Sequence, residues 1–183
     1  MYMFLNWNLF LAIVPFFFSS YLILHKETIN KYSFAVIAGA WLLFFPNSPY
    51  ILTDLFHLHV HDGMPQWFDL IMILSFAWAG LLFGFLSLSQ MEKMLLEKVS
   101  VRTSNIVIVS LLFISSFGVY IGRFLRWNSW DIVSSPLAIL ADIADRFIHP
   151  FAHGRTWGIT ILMGTLLSSI YFSVKMMVRG LRN

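Results

Sequence analysis

The chain contains no cysteine, which excludes disulfides, thiolate metal sites, thiol redox chemistry and S-acylation. Charge is almost as scarce: Asp, Glu, Lys and Arg make up 11% of the 183 residues, under half the roughly 25% of a soluble domain. So few charges cannot clothe a surface that faces water, and the soluble classes are excluded. There is no Walker motif, no Gly-x-Ser-x-Gly, no His-Glu-x-x-His and no dinucleotide fingerprint, so nucleotide chemistry is not expected. Repeats, low-complexity tracts and a separable soluble domain are also missing, and residues 1–183 read as a single integral membrane domain. What is abundant is apolar sequence, 58% hydrophobic and 17% aromatic. A basic pI near 9.3 then reads as a topology signal rather than a nucleic-acid footprint. The expected partner is the lipid bilayer, with no nucleic acid.

A bilayer core about 30 Å thick needs about 20 apolar residues per helix. Long charge-free runs place spans at about 7–24, 67–89, 105–125 and 157–175. The first contains Pro15, a kink signal, and lacks a basic n-region and a small-residue cleavage site, so it is expected to stay as a span. The run Tyr32 to Phe45 measures only about 21 Å as a helix, short of a crossing. It meets Pro46-Asn47-Ser48-Pro49, where two prolines remove backbone donors and disfavour helix at the preceding residues. A second span over about 32–56, broken at Pro46–Pro49, is therefore expected. The break is either a polar interruption at membrane depth, tolerated where protein or a water-filled cavity surrounds it, or the early end of a span that turns back through an interfacial loop.

Ser135 followed by Pro136 is an N-cap with proline at the first helical position, and Leu137, Leu140, Ala144 and Phe147 recur at helical spacing. This predicts an amphipathic helix over about 136–149 at the interface, with Asp142, Asp145 and Arg146 on its wet face. It is either a structural cover or a mobile lid. The fold class expected is all-α: a polytopic membrane bundle of about five transmembrane helices plus one interfacial helix.

Five spans put the termini on opposite sides. Lys26, Lys31, Lys93, Lys98, Arg102, Lys175, Arg179 and Arg182 fall on one face, so the positive-inside rule predicts the N-terminus outside and the C-terminus cytoplasmic in an inner membrane. Trp7, Trp67, Trp127, Trp130 and Trp157 then lie near outer span ends, as an aromatic belt does. All six Asp fall on the outer face with five of the six His, while every Lys and Glu is inner. Four outer residues defy the bias, Arg123, Arg126, Arg146 and Arg155, and all are Arg, the side chain suited to bidentate pairing with carboxylate or phosphate. Gly80-x-x-x-Gly84 and Gly118-x-x-x-Gly122 let helix backbones approach closely. Packing within the chain is the expected use of both, dimerisation the alternative.

Two segments hold most of the outer polar residues. The first, Pro46 to Asp69, carries Asn47, Tyr50, Thr53, Asp54, His57 and Asp69; the second, Gly122 to Asp131, carries Arg123, Arg126, Asn128 and Asp131. Charges this close to hydrocarbon are costly unless paired and mark a functional-site hypothesis by default. On a continued helix Arg123 and Arg126 share a face. The same residues also fit a structural network in which the two Arg neutralise Asp54, Asp69 or Asp131. Asp54, His57 and His61 at i, i+3, i+7 form a weak zinc triad; no metal or other cofactor is favoured. His57 and Asp62 spell the His-x-x-x-x-Asp of acyltransferases, with no other part of such an enzyme. His149 and His153 flank a Pro-Phe-Ala turn and read as interfacial.

At Pro46-Asn47-Ser48-Pro49-Tyr50-Ile51-Leu52-Thr53-Asp54-Leu55-Phe56-His57-Leu58 and at Gly122-Arg123-Phe124-Leu125-Arg126-Trp127-Asn128-Ser129-Trp130-Asp131, the chain resembles a bacterial membrane family catalogued as domain of unknown function 1361. The resemblance covers nearly the whole chain. It implies a multi-spanning bacterial membrane protein whose functional positions are Asn47, Tyr50, Thr53, Asp54 and His57, then Arg123, Arg126, Asn128 and Asp131, and it carries no activity with it. His59 and His61 lie outside the matching pattern, which weighs against the zinc triad.

Two functions are therefore expected as alternatives. In one, Arg123 and Arg126 hold an anionic group such as a lipid phosphate and Asp54 and His57 orient it or exchange a proton, as a hydrolase or transferase of a lipid-linked substrate requires. In the other, the chain is a non-enzymatic subunit or transporter component whose broken second span and Arg–Asp network form a path or docking surface.

Overall fold

The computed structural model describes residues 3–57 and 65–180, and every regular element among them is helical. Five helical stretches are long and apolar enough to cross a membrane: Met3–Leu24, Lys31–Phe56, Gln66–Leu96, Val101–Phe124 and Gly154–Gly180. They fall where the apolar runs place them. The chain divides into two compact units, Met1–Ser104 and Asn105–Asn183.

In the first unit α1 (Met3–Leu24) runs through Pro15 and packs against both α2 (Lys31–Phe44) and α4 (Gln66–Leu96). Asn30 caps α2, its side chain accepting from the Ser33 N–H at 2.8 Å. The break after α2 is a tightening of the helix, not an open loop. Phe45 and Pro46 keep right-handed helical dihedrals, and the short α3 (Asn47–Tyr50) and a 3-10 helix (Ile51–His57) follow directly. Backbone accounting explains this. Pro49 has no N–H for the Phe45 carbonyl, so Ser48 N–H takes that carbonyl at 3.1 Å. The Phe44 carbonyl that Ser48 thereby leaves accepts from Asn47 Nδ2 at 2.8 Å. Tyr50 N–H then returns to the Pro46 carbonyl at 3.1 Å. The Asn-Ser between the prolines supplies the donors they remove.

This tightened segment is inserted against α1 and α4. Ser48 donates to the Ala12 carbonyl at 2.8 Å. A Cβ on Gly84 would lie 2.6 Å from Ser48 Cβ, and one on Gly80 would lie 2.9 Å from Ile51 Cδ1. The Gly80/Gly84 face is thus filled by the chain's own broken span. Around it Leu5, Ala12, Ile51, Ile73 and Ala77 form a buried cluster. Farther along, Trp41 stacks on Phe45 with ring centroids 4.8 Å apart and donates to Ser87 Oγ at 3.2 Å. Ser19 donates to Gln90 Oε1 at 2.6 Å, and Lys26 pairs with Glu97 beyond the apolar stretches.

The second unit takes most of α5 (Val101–Phe124), then α6 (Asp131–Ser134), α7 (Pro136–Ile148) and α8 (Gly154–Gly180). Ser135 and Pro136 occupy the N-cap and first position of α7, but the Ser135 side chain makes no capping bond. A Cβ on Gly164 of α8 would lie 2.8 Å from the Phe113 ring of α5. Phe147 of α7 packs edge-on to Trp157 of α8 at 5.1 Å, and Phe117 of α5 stacks on Trp157 at 5.9 Å.

One expectation about α7 is corrected. Arg146 is not on a wet face; it is 6% exposed, and its Nη1 donates to the carbonyl and carboxylate of Asp142. Asp145 is exposed, and so are Leu137, Leu140 and Phe147. Apolar spacing defines the stripe, but it does not say whether protein or lipid covers it.

Candidate functional site

In the first unit the polar residues of the first motif divide into two groups by what they touch. Asn47 serves the Phe44 carbonyl, and Thr53 Oγ1 donates to the Tyr50 carbonyl at 2.6 Å, so both brace the tightened backbone. Asp54 does something else. It is 1% exposed and accepts from Asn8 Nδ2 of α1 at 3.0 Å. A carboxylate so deeply withdrawn from water needs such donors, because burying it unpaired is costly. Asp69 lies in the first turn of α4, 6% exposed, where a negative charge complements the positive end of the helix dipole. Tyr50 ends α3 and is half-buried. His59, His61 and Asp62 lie outside the described residues, as does the side chain of His57. The zinc triad and the His-x-x-x-x-Asp pair fall there. Asn8 was not singled out in the sequence, although an amide inside a long apolar run is itself a signal.

In the second unit the second motif departs from a continued helix. α5 ends at Phe124, Leu125 N–H reaches the Ile121 carbonyl at 3.2 Å, and Arg126 then adopts φ 63°. Trp127 N–H returns to the same Ile121 carbonyl at 3.4 Å. The expectation that Arg123 and Arg126 share a helical face is therefore corrected, since Arg123 lies in the last turn and Arg126 is the left-handed residue that reverses the chain. A non-glycine residue pays about 1 kcal/mol or more for that conformation.

The chain that follows Arg126 is pinned. Trp127 Nε1 donates to Asp142 Oδ2 of α7 at 2.6 Å. Asp131 Oδ2 accepts from the Asn128 N–H at 2.7 Å and from Asn128 Nδ2 at 3.1 Å, and Asp131 Oδ1 accepts from Ser134 at 3.2 Å. These bonds, the Asn128 backbone N–H first, hold the Asp131 carboxyl below its ordinary 3.8. Asn128 and Asp131 therefore shape the loop. Arg126 itself is exposed and has no hydrogen bond or ion pair among the described residues. Nearby, the Arg155 guanidinium lies 4.3 Å from the centre of the Phe124 ring.

A third cluster escaped sequence reading. Asp145 accepts from His149 Nδ1 at 3.0 Å and from His153 Nε2 at 2.7 Å, with Arg146 Nη1 4.0 Å away. The bond from His149, then that from His153, lowers the Asp145 carboxyl from 3.8. The i, i+4, i+8 spacing of Asp145, His149 and His153 was the available signal. The intervening Pro150 concealed it. Among the described residues no group of three ligating side chains is arranged to hold a metal ion.

No curated protein and no solved structure matches the chain. A family model does, over residues 7–170, spanning both motifs and reaching into all five apolar helices. Its description reads "Protein of unknown function (DUF1361)", and the chain belongs to this family.

Proposed function

We propose that this protein binds an anionic lipid-linked or small-molecule substrate at the outer face of a bacterial inner membrane, with Arg126 as the group that takes the anion. One observation carries the reading: an exposed guanidinium with no partner among the described residues is held by a left-handed backbone between the end of α5, where Leu125 N–H still reaches Ile121, and a loop pinned at Trp127 and Asn128. Strain of this kind persists where the surroundings over-determine it, and it clusters at ligand clamps. A guanidinium so placed suits the bidentate recognition of phosphate or carboxylate. Arg123 contributes further positive charge from the last turn of α5. Asp54, oriented by Asn8, is with His57 the acid/base candidate of the first motif. The N-terminus is outside and the C-terminus cytoplasmic in this reading.

A second reading, a non-enzymatic subunit or transporter component, is favoured by the interrupted second span, a device that transporters use at their binding sites.

Binding separates them. In Arg126→Lys the charge stays but the planar fork is lost, so affinity for a phosphorylated probe should fall at least tenfold with an unchanged melting temperature. Retained affinity, or loss of folding with loss of binding, refutes the ligand role of Arg126.

A further inference from the structure

Helix α7 is built the reverse way from a helix on a soluble protein. Its least exposed positions, Ile139, Asp142, Ile143 and Arg146, form one stripe that includes two charged residues. Its charges are engaged internally, Arg146 Nη1 donating to Asp142 and Trp127 Nε1 donating to the Asp142 carboxylate. The opposite side is apolar, with Leu137 80% exposed and Leu140, Phe147 and Ile148 also open. Phe151 in the next turn is 100% exposed, and Val133 and Trp130 precede the helix. Asp145 is the single charged residue among the exposed positions of α7, and two imidazoles engage it.

The fold says what covers this side. α5 ends and α8 begins at the two ends of the segment, and both are long and apolar enough to cross the membrane. A helix tethered between two such crossings at one membrane face, with its apolar side open, lies in the acyl boundary of that leaflet. The Trp127–Asp142 bond fastens the residue beside Arg126 to the inward stripe of that helix. Arg126 is thereby held at headgroup level.

The geometry points to a lipid phosphate as the anion that Arg126 takes, with the acyl chains of the same lipid lying over the Leu137, Leu140, Phe147 and Phe151 side. This inference rests on the binding role proposed for Arg126 and narrows it from any phosphate to one carried by a membrane lipid. Phosphomonoester and phosphodiester headgroups both fit a single exposed guanidinium.

The test uses the full chain in phosphatidylcholine nanodiscs, titrated with phosphatidic acid bearing a fluorescent acyl chain, with glycerol phosphate and inorganic phosphate as soluble competitors. Arg126→Gln and the double substitution Leu140→Gln/Phe147→Gln should each weaken phosphatidic acid binding about tenfold or more, and neither soluble competitor should displace it at millimolar concentration. If glycerol phosphate competes fully through Arg126 and the α7 substitutions change nothing, the lipid assignment is overturned while the anion site stands. If Arg126→Gln alters neither lipid nor soluble binding, the anion site falls as well. Because the chain has no cysteine, Leu140→Cys accepts a single fluorescent label and reports placement independently of binding. Quenching of that label by nitroxide-labelled acyl chains and protection from aqueous iodide are expected. Quenching by iodide with no effect of the nitroxide lipids overturns the proposal.

Discussion

Adding one methyl group at Gly84 tests whether the broken second span is seated as described. The new Cβ would meet Ser48 Cβ at 2.6 Å and Ser48 Oγ at 3.1 Å, where carbon atoms prefer about 3.5–4.0 Å. The obstacle cannot swing aside: Cβ moves only with the backbone, and the Ser48 hydroxyl is bonded to the Ala12 carbonyl at 2.8 Å. Overpacking against such a neighbour costs about 2–3 kcal/mol, the upper part of its usual range. The helix preference of alanine over glycine offsets about 1 kcal/mol. Gly84→Ala should therefore destabilise by about 1–2 kcal/mol. Gly39, with nothing within 4 Å of its Cβ position, is the control, and Gly39→Ala should stabilise by about 0.5–1 kcal/mol. Gly80→Ala should fall between, since its nearest obstacle is the rotatable Cδ1 of Ile51. Equilibrium unfolding in mixed micelles with increasing dodecyl sulfate, followed by circular dichroism, measures all three. Ser48→Gly removes the obstructing Cβ along with the Ala12 bond, so the Gly84→Ala/Ser48→Gly double mutant should be more stable than the two single effects predict. Equal unfolding midpoints for Gly84→Ala and Gly39→Ala, or strict additivity in the double mutant, would refute the seating of Ser48 on α4.

Three other outcomes follow from the same geometry. Asn8→Ala removes a donor from the almost fully buried Asp54 and should cost about 1–3 kcal/mol in the same unfolding assay; an unchanged midpoint would mean the bond is not made. Arg126→Gly relieves the left-handed backbone at φ 63° and should raise stability by about 1 kcal/mol while abolishing phosphate binding, so a destabilised Arg126→Gly protein contradicts the strain. Asp145 titrates below 3.8 when folded because His149 and then His153 donate to it; a depressed carboxyl contributes stability that is present above its unfolded pKa and lost as pH falls through the lower folded value. Thermal midpoints measured from about pH 5 down to pH 3 should decline, and His149→Ala/His153→Ala should lower the midpoint at pH 5 and flatten that decline, because Asp145 then titrates nearly alike in the folded and unfolded chain.

The spans were legible in the sequence because a bilayer imposes length and excludes charge, so each long apolar run becomes a helix. Pro46 and Pro49 announced an interruption for an equally direct reason, missing donors. That the interruption stays helical depended on Asn47 and Ser48 finding particular carbonyls, which only three-dimensional placement decides. Gly80 and Gly84 announced a close approach without naming Ser48 and Ile51 as the visitors. Arg126 was legible as a residue type suited to anions, but its left-handed conformation was hidden, because nothing local distinguishes an Arg that continues a helix from one that ends it. The direction of α7 was hidden for a different reason: apolar spacing defines a stripe without saying which side of the helix packs on protein, and Leu137, Leu140 and Phe147 are on the exposed side.

The tightened second span also sets depth. A 3-10 helix rises about 2.0 Å per residue against about 1.5 Å in an α-helix, so the 14 residues of α2, the 4 of α3 and the 7 of the 3-10 segment together reach about 40 Å. The hydrocarbon they traverse is about 30 Å thick. With Lys31 among the headgroups, Ser48 sits about 25 Å along and Asp54 about 35 Å along. On that reckoning Ser48, bonded to the Ala12 carbonyl, falls within the length of the apolar layer, whereas Asp54 falls beyond that length.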